Sequence, residues 1–282
     1  MKMLLDLTGR GHIRLTGEDR ARLLHAMTTQ HIQQMQSGEW AYAFFLTAQG
    51  KIIADANVIC RENHFILDTE PETHQLLLVH LERYIIADDA TPEDLTARTA
   101  VLSVEGVEDF EVTGNAWKVK GLSATGLPAV RIFAPIEERE DLIRRIGIPV
   151  SELEEWNRVR IENAHPRYGP DICDQKIPHE TGLMHAVHFT KGCYLGQEIV
   201  ERVRSRGHVN RRMMQFLVEG AVPPAADTKL TSGGKEYGEI TSAAYSPSQG
   251  KVVALGYLRV EAMKLPLDAG GAAVTVTEKT PY

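Results

Sequence analysis

The alternation of apolar and polar residues predicts a series of short strands in the first part of the chain. Residues 3–15 predict one or two strands around a turn at residues 9–11, where two glycines flank an arginine. The apolar segment 40–46 and the segment 51–59 are joined by a turn that contains a glycine, and they predict a β-hairpin. Residues 63–68 predict a further short strand.

Four segments carry the features of helices. One begins after Thr16, whose side chain is expected to cap it, and a second spans residues 72–86. A third spans residues 137–146, and a fourth follows Ser151, which forms a capping-box pattern with Glu154. These helices precede or follow the predicted strands, so the first two thirds of the chain mix both kinds of element.

The remainder of the chain has a different character. Residues 163–190 are rich in proline and glycine and predict a long irregular loop, which in a compact protein is usually functional. From about residue 212, short apolar strands separated by proline and glycine predict a small all-β domain, either a barrel or a sandwich. We therefore expect one region over residues 1–211 and a second domain over residues 212–282.

Composition limits the classes of protein to which the chain can belong. Its 282 residues exceed one average domain, and its apolar and charged contents are ordinary for a globular protein. The net charge of -7 makes a general attraction to nucleic acid unexpected, so an anion site would need a local basic patch. Three widely spaced cysteines argue against a disulfide framework and are typical of a reducing compartment.

The first residues lack the pattern of a signal peptide. No apolar run approaches the roughly 20 residues that a membrane helix needs. These two observations predict a cytoplasmic protein without a membrane segment, or a protein of an organellar matrix if the source is a eukaryote.

One stretch concentrates reactive side chains. Residues 191–198, with the sequence KGCYLGQE, combine an ammonium, a thiol, a phenol, an amide and a carboxylate with two glycines. Arginines follow at positions 202, 204, 206, 211 and 212. A hydrophobic core does not need this mixture, so we interpret residues 191–198 as a surface or cleft loop that contacts a ligand or a partner.

Two interpretations stay open for each of the main candidate residues. Cys193 is either a thiolate whose pKa Lys191 and the arginines lower, or a small apolar residue in a tight loop. Lys191 and the arginines form either a clamp for phosphate or carboxylate or a solvated basic edge. Tyr194 either stacks on a ring or packs. Glu162 is either a buried carboxylate for the N–H groups of a heterocycle or a surface acid paired with Arg158, four residues earlier.

Common cofactor and metal motifs do not occur in the sequence. There is no P-loop and no Gly-x-Gly-x-x-Gly after a strand. His179-Glu180 lacks the second histidine of a zinc helix, because position 183 is leucine. The histidines at positions 179, 185 and 188 match no standard metal spacing, even with Cys193, so no metal site is predicted.

The sequence KGCYLGQE resembles the signature of YgfZ-type folate-binding proteins, which are relatives of the glycine-cleavage T protein, an aminomethyltransferase. The resemblance covers nearly the whole chain. It includes the predicted helix after Thr16, the hairpin segment 50–55, and the stretch 160–183 that leads to the signature. Near the C-terminus it includes residues 238–242 and 254–257.

The resemblance implies an α+β fold in which two α+β lobes form a channel for a reduced folate and a C-terminal antiparallel β-barrel closes one side. It implies tetrahydrofolate as the cofactor and iron–sulfur client or assembly proteins as partners. The implied role is assembly or repair of iron–sulfur clusters in client enzymes, with a bearing on tRNA modification.

The resemblance also implies roles for single residues. Glu162 matches the glutamate that contacts the pterin in T proteins, and Cys193 is the signature cysteine, which would be the reactive or cluster-facing thiol. Basic residues would meet the glutamate tail of the folate. The other residues expected around the ligand are Lys191, Tyr194, Gln197, Glu198 and Arg202.

One departure from T proteins argues against aminomethyl transfer. T proteins carry a catalytic aspartate shortly after the strand that matches residues 65–68, and residues 69–74 here lack that motif. A folate-dependent one-carbon transferase is therefore the second hypothesis, for which the sequence offers no convincing general acid or base. The third is a non-enzymatic RNA-binding or scaffold protein that uses residues 202–212, and the acidic net charge weakens it.

Overall fold

A computed structural model describes residues 1–207 and 209–281, and for Arg206 it describes only the backbone. The helices are α1 (Arg20–Met27), α2 (His74–Tyr84), α3 (Arg139–Ile146), α4 (Leu153–Glu162), α5 (Pro178–Thr181) and α6 (Gln197–Arg206). The strands are β1 (Met3–Asp6), β2 (Gly11–Thr16), β3 (Trp40–Leu46), β4 (Ile52–Cys60), β5 (Phe65–Thr69), β6 (Thr91–Asp94), β7 (Thr99–Glu105), β8 (Trp117–Lys120), β9 (Ala129–Pro135), β10 (Arg211–Val218), β11 (Lys229–Ser232), β12 (Lys235–Ser246), β13 (Lys251–Arg259), β14 (Leu267–Ala269) and β15 (Ala272–Val276).

The first sheet contains five antiparallel strands in the order β3-β4-β5-β2-β6. The predicted hairpin is β3 and β4, with Ala43 opposite Ala56. Helices α1 and α2 cover one face of this sheet, where Leu24 and Leu77 belong to one buried core with Val58. Successive side chains of a strand point to opposite faces. The neighbours of Val58 on β4, including Asn57, therefore face away from these helices.

The second sheet contains four antiparallel strands in the order β1-β7-β9-β8. Helix α3 packs on one of its faces through Leu142. On the opposite face, Val101 and Phe133 share a buried core with Ile59 and Ile66 of the first sheet. The two sheets are thus held together by one apolar contact region, and the space beside that region lies between the lobes.

The chain crosses between the lobes at its first turn. Strand β1 pairs with β7 in the second sheet, whereas β2 pairs with β5 in the first sheet. The turn between them, predicted around residues 9–11, places Arg10 at the boundary of the lobes, where it contacts Asp68 of β5. The two lobes are therefore interleaved in sequence.

Strands β10 to β15 close into an antiparallel barrel in the order β10-β13-β12-β11-β14-β15. Phe216, Leu230 and Leu258 are fully buried in its core. The predicted α+β fold, with two sheet-containing lobes and a C-terminal antiparallel β-barrel, is confirmed.

A buried ion pair joins the barrel to helix α4. Arg160 Nη1 lies 2.5 Å from Asp171 Oδ2, and Arg160 Nη2 donates to Ser242 Oγ of β12 at 2.9 Å. Ser242 Oγ in turn donates to Asp171 Oδ1 at 2.7 Å. Because buried charges need a partner and satisfied hydrogen bonds, these contacts fix the barrel against the loop that follows α4.

Two predicted helix caps are wrong. Thr16 is the last residue of β2, where its hydroxyl donates to the carbonyl of Thr91 at 3.3 Å, and α1 begins only after Asp19. Helix α4 has Glu152 at its N-cap and no side-chain cap bond, so Ser151 forms no capping box with Glu154. In both places strand pairing or a shifted helix start replaced the local capping pattern.

The described residues, 1–207 and 209–281, contain no helix that is both long enough and apolar enough to span a membrane.

Candidate functional site

A cavity of about 500 Å³ lies between the two sheets. Aromatic rings of Trp40, Tyr42 and Trp156 form part of its wall. The volume is in the range of small-molecule sites, which combine apolar walls with a few placed polar groups. Its charged, amide and imidazole side chains are Asp6, Arg10, Asp55, Asn57, Asp68, Glu70, Arg131, His165, Arg167 and His185.

Strand alternation explains how polar side chains come to line this cavity. On β4, Ala54, Ala56 and Val58 point into the core under α1 and α2. Asp55 and Asn57 lie between them in sequence and therefore point to the opposite face, towards the second lobe. An apolar strand pattern interrupted by these two residues places a carboxylate and an amide in the cavity.

Asp68 is a fully buried anion at the cavity wall. Its carboxylate accepts hydrogen bonds from Arg10 Nε at 2.7 Å, Arg131 Nη1 at 2.8 Å and Asn57 Nδ2 at 3.1 Å. Burial acts to raise the pKa of Asp68, but the charges of Arg10 and Arg131 outweigh it and hold the pKa below its ordinary value. Asp68 therefore carries a negative charge that two guanidinium groups neutralise.

Asp55 differs from Asp68 in that its pKa is raised rather than lowered. The Tyr42 hydroxyl donates to Asp55 Oδ2 at 2.6 Å. Burial, followed by the negative charge of Glu70, raises the pKa of Asp55 to about 7. A carboxyl group with a pKa near neutrality can both give and take a proton, which is the property required of a general acid or base.

Glu70 links two arginines of the cavity wall, Arg10 and Arg167. It pairs with Arg10 and, through Oε2, with Arg167 Nε at 3.2 Å. Arg167 also donates to Glu72 at 2.8 Å, and this pair is more exposed than the Arg10 pairs. Arg167 is therefore the basic group at the more exposed side of the cavity.

The irregular loop 163–190 supplies the remaining polar part of the wall. His165 lies on it, and burial lowers the pKa of His165 to about 4, so the ring is neutral at pH 7. His185 stacks on Tyr42, with ring centroids 5.6 Å apart. The loop therefore lines the cavity.

A third buried carboxylate, that of Glu105, holds the segment 123–125. Glu105 accepts hydrogen bonds from the hydroxyls of Ser103, Ser123 and Thr125 at 2.7, 2.6 and 2.6 Å. The backbone N–H of Ala124 donates to it at 2.9 Å. Because Ser123 and Ala124 line the cavity, Glu105 positions that part of the wall.

The signature residues 191–198 lie outside the residues that line the cavity. Lys191 is buried, and its Nζ donates to the carbonyl of His25 and to that of Thr28, the latter at 2.7 Å. His25 Nε2 in turn lies 2.9 Å from the Lys191 carbonyl oxygen. Burial lowers the pKa of Lys191 to about 7, while the neighbouring Cys193 acts to raise it. Lys191 therefore ties the signature loop to the end of α1.

The other signature residues divide into buried and exposed ones. Tyr194 is buried in a core with Tyr168 and Tyr257, and the Lys191 ammonium lies 4.7 Å from the centre of its ring. Cys193 is exposed and is not bonded to another cysteine. Gln197 begins α6, half-buried, and the exposed Glu198 follows it.

Glu162 and Arg202 are also placed away from the cavity wall. Arg158 Nη1 lies 3.1 Å from Glu162 Oε1, so the ion pair four residues apart is the arrangement that the structure shows. Arg202 is exposed on α6. The cavity instead contains carboxylates that the sequence analysis did not single out, namely Asp55, Asp68 and Glu70. The signal that could have found Asp55 is a lone carboxylate inside the strand sequence IIADANV.

Within residues 1–207 and 209–281, no group of three or more His, Cys, Asp or Glu side chains has an arrangement that could hold a metal ion.

Comparison with protein families identifies the parts of this architecture. The GCVT N-terminal domain matches residues 2–131, and the CAF17 C-terminal β-barrel domain matches residues 210–280. The chain thus combines a GCVT N-terminal domain with a CAF17-type C-terminal β-barrel, an architecture consistent with the YgfZ/CAF17 type. The resemblance inferred from the signature is thereby confirmed.

Individual relatives of this chain are named for different roles. An aminomethyltransferase of Rubrobacter xylanophilus is 24% identical, over 98% of this chain and 79% of its own length. The mitochondrial iron–sulfur cluster assembly factor IBA57 of Mus musculus is 27% identical, over 93% of this chain and 78% of its own length. A putative chloroplastic transferase of Arabidopsis thaliana is 24% identical, over 98% of this chain and 68% of its own length.

The fold has a solved counterpart. The glycine cleavage system aminomethyltransferase T of Bartonella henselae superposes with a TM-score of 0.86, covering 100% of this chain and 88% of that one. The sequences are 19% identical, so this similarity concerns the fold alone.

Proposed function

We propose that the cavity between the lobes binds a reduced folate, tetrahydrofolate, and that the chain acts with this ligand in the assembly or repair of iron–sulfur clusters. The observation that carries the folate part is the cavity itself, with aromatic walls and the carboxyl groups of Asp55 and Glu70. A pterin is a flat ring system with adjacent N–H groups, and carboxyl groups between aromatic walls are suited to bind such a ring.

The residues fit the rest of the ligand as well. Arg167 lies at the more exposed side of the cavity, and a guanidinium group binds carboxylates such as a glutamate tail in bidentate fashion. Arg131 is buried, and its Nε has no hydrogen-bond partner among the described residues. Tetrahydrofolate, when bound, supplies a reduced pterin that can carry a one-carbon unit.

Asp55 and Glu70 replace Glu162 as the carboxyl groups we propose for the pterin. Glu162 does not line the cavity, and its carboxylate is paired with Arg158. Lys191, Tyr194, Gln197, Glu198 and Arg202 lie outside the cavity wall, and we propose that they support the signature loop or a partner surface.

The iron–sulfur part is supported by relatives. The Mus musculus and Yarrowia lipolytica relatives are iron–sulfur cluster assembly factors by name. Cys193 is exposed on the signature loop, where a partner can reach it. We propose Cys193 as the group that faces the cluster or client, in the cytoplasm or an organellar matrix. Effects on tRNA modification would follow where a modifying enzyme is the client.

Calorimetric titration with tetrahydrofolate, kept reduced, tests the folate part. We expect saturable binding by the wild type and weaker binding by Asp55→Asn. Glu162→Gln, which also neutralises a carboxylate, serves as the matched control and should bind like the wild type. The proposal fails if the wild type does not bind, or if Glu162→Gln loses binding while Asp55→Asn keeps it. The iron–sulfur part fails if Cys193→Ala leaves client enzymes fully active.

A folate-dependent one-carbon transferase is the second candidate, and Asp55 favours it. Its pKa of about 7 provides the general acid or base that the sequence analysis did not find. Release of methylenetetrahydrofolate from an aminomethyl donor, abolished by Asp55→Asn, would support this activity. No release by a wild-type protein that binds tetrahydrofolate would exclude it.

A further inference from the structure

Of the arginines at positions 202–212 whose side chains the structure describes, three are exposed and only one forms an ion pair. Arg202 and Arg212 are exposed, and Arg211 is half-buried. None of the three forms an ion pair with another described residue, and only Arg204 pairs weakly, with Glu201 at 3.5 Å. In contrast, the cavity arginines Arg10 and Arg131 are paired with Asp68.

We call the three exposed arginines Arg202, Arg204 and Arg212 the arginine surface. Arg211 is left out, because it adjoins Arg212 on β10 and points to the opposite face of the strand. The Arg204 guanidinium lies 4.2 Å from the ring centre of Phe189, and the Phe189 ring lies 6.4 Å from that of His179. Arg204 of α6 and Arg212 of β10 both act on His179, whose pKa their charges lower. His179 therefore lies between the two elements that carry the arginines.

Among the described residues, Glu201 beside Arg204 is the one acidic side chain that forms an ion pair with the arginine surface, although the protein as a whole is acidic, with a net charge of -7. Guanidinium groups bind carboxylates in bidentate fashion. The folate cavity does not use these arginines, because none of them lines it. They are therefore free of the proposed folate site and can meet carboxylates of another molecule.

We propose that the arginine surface docks an acidic protein partner and brings it next to the exposed Cys193. Cys193 lies on the loop that leads directly into α6, the helix that carries Arg202 and Arg204. The role of Cys193 in this proposal rests on the proposed assembly function. The docking itself does not depend on that function and requires no folate.

Two observations favour an acidic protein over a nucleic acid. The acidic net charge repels a long polyanion, whereas a protein partner carries only a local acidic patch. Binding of single-stranded nucleic acid normally uses exposed aromatic rings for base stacking. Phe189, the ring at this surface, is already covered by Arg204.

His179 provides an internal reporter for an incoming carboxylate. Both ring nitrogens are buried without a hydrogen-bond partner among the described residues. Burial lowers the pKa of His179, Glu201 acts to raise it, and Arg204 and Arg212 lower it further. A partner carboxylate between the arginines would offset their charge, so the pKa of His179 should rise on binding.

The test uses full-length protein and two probes, a short fluorescent glutamate-rich peptide and an RNA oligonucleotide of equal charge. We expect the wild type to bind the peptide with an affinity that falls as salt is added. Arg202→Glu and Arg212→Glu should each weaken binding about tenfold. Arg83→Glu is the matched control, since Arg83 is exposed on α2 and forms no ion pair with a described residue.

Each outcome decides the proposal. Loss of peptide binding in both arginine-surface variants but not in Arg83→Glu, with an upward shift of the His179 pKa in the wild type on peptide addition, supports it. Failure of the wild type to bind the peptide, or an equal loss in Arg83→Glu, overturns it. Tight binding of RNA instead of peptide, removed by the same variants, also overturns it. Tetrahydrofolate titrations of these variants separate this result from the proposed function, because folate binding should be unchanged in all of them.

Discussion

The Tyr42 hydroxyl donates a hydrogen bond of 2.6 Å to Asp55 Oδ2 at the wall of the cavity. This contact lowers the pKa of a carboxyl group that burial and Glu70 raise to about 7. Tyr42 therefore helps to determine the pKa of Asp55. Among the described residues that line the cavity, Asp55 is the one carboxyl group whose pKa is raised to near neutrality.

Removal of that hydroxyl should raise the pKa of Asp55. In Tyr42→Phe the carboxylate loses a donor that stabilises its charged form, so we expect the pKa to move above about 7. Carboxyl-carbon NMR titration of the Asp55 signal measures the change. Tyr245→Phe, at an exposed position outside the cavity, is the control and should leave the titration unchanged. A fall in the pKa of Asp55 would show that Tyr42 is not its donor.

The pKa of Asp55 also predicts how stability depends on pH. The folded state holds this proton more tightly than the unfolded chain, whose value is near 3.8, so Asp55 lowers stability as pH rises from about 4 to about 7. The slope from one such group is at most about 1.4 kcal/mol per pH unit. Asp55→Asn should remove this loss and be more stable than the wild type at the upper end of the window.

Denaturant unfolding at both ends of that window checks this prediction. His12 and His165, whose pKa values burial lowers to about 4, make stability rise with pH over a similar range. The quantity to compare is therefore the difference between Asp55→Asn and the wild type, in which the histidine contributions cancel. A difference that stays constant with pH would contradict the raised pKa of Asp55.

Lys191 should stabilise the protein without binding the folate. Lys191→Met leaves the carbonyls of His25 and Thr28 without their donor, and we expect the free energy of unfolding to fall by about 1 to 3 kcal/mol. Tetrahydrofolate affinity should not change, because Lys191 does not line the cavity. Lys264→Met, which removes an exposed lysine, is the control for both measurements. Loss of folate affinity with normal stability would instead place Lys191 at the ligand.

The ion pair between Arg160 and Asp171 should be essential for attachment of the barrel. Asp171→Asn leaves a buried guanidinium without its counter-charge, so we expect a loss of about 3 to 5 kcal/mol in unfolding free energy. Asp141→Asn, which weakens the solvent-accessible pairs with Arg144 and Arg145, should cost at most about 1 kcal/mol. Thermal unfolding of the two variants compares them directly, and equal effects would show that the buried pair is not important.

The sequence allowed the larger elements to be predicted, because they depend on local patterns. The hairpin of β3 and β4 follows from apolar runs around a turn, and its two strands lie within one residue of the predicted segments. The short strands β11 and β14 were not predicted, since three or four residues carry too little pattern and pair only within the closed barrel. Thr16 shows the same limit, because its pairing with the distant Thr91 decided its structure.

The candidate site was harder to predict than the fold. The signature residues were found because they are adjacent in sequence, yet they do not line the cavity. Asp55 and Glu70 are fifteen positions apart and Arg167 lies far from both, so their common site depends on how the lobes and the loop 163–190 pack. The pKa of Asp55 depends on burial and on Glu70, and neither contribution can be read from a linear sequence.

A crystal structure of the protein with bound tetrahydrofolate tests the central claim most directly. We predict that the pterin lies in the cavity between the two sheets, with its N–H groups facing the carboxyl groups of Asp55 or Glu70 and its glutamate tail towards Arg167. A pterin bound to Glu162 or to the signature loop 191–198, with the cavity left unfilled, would contradict the claim.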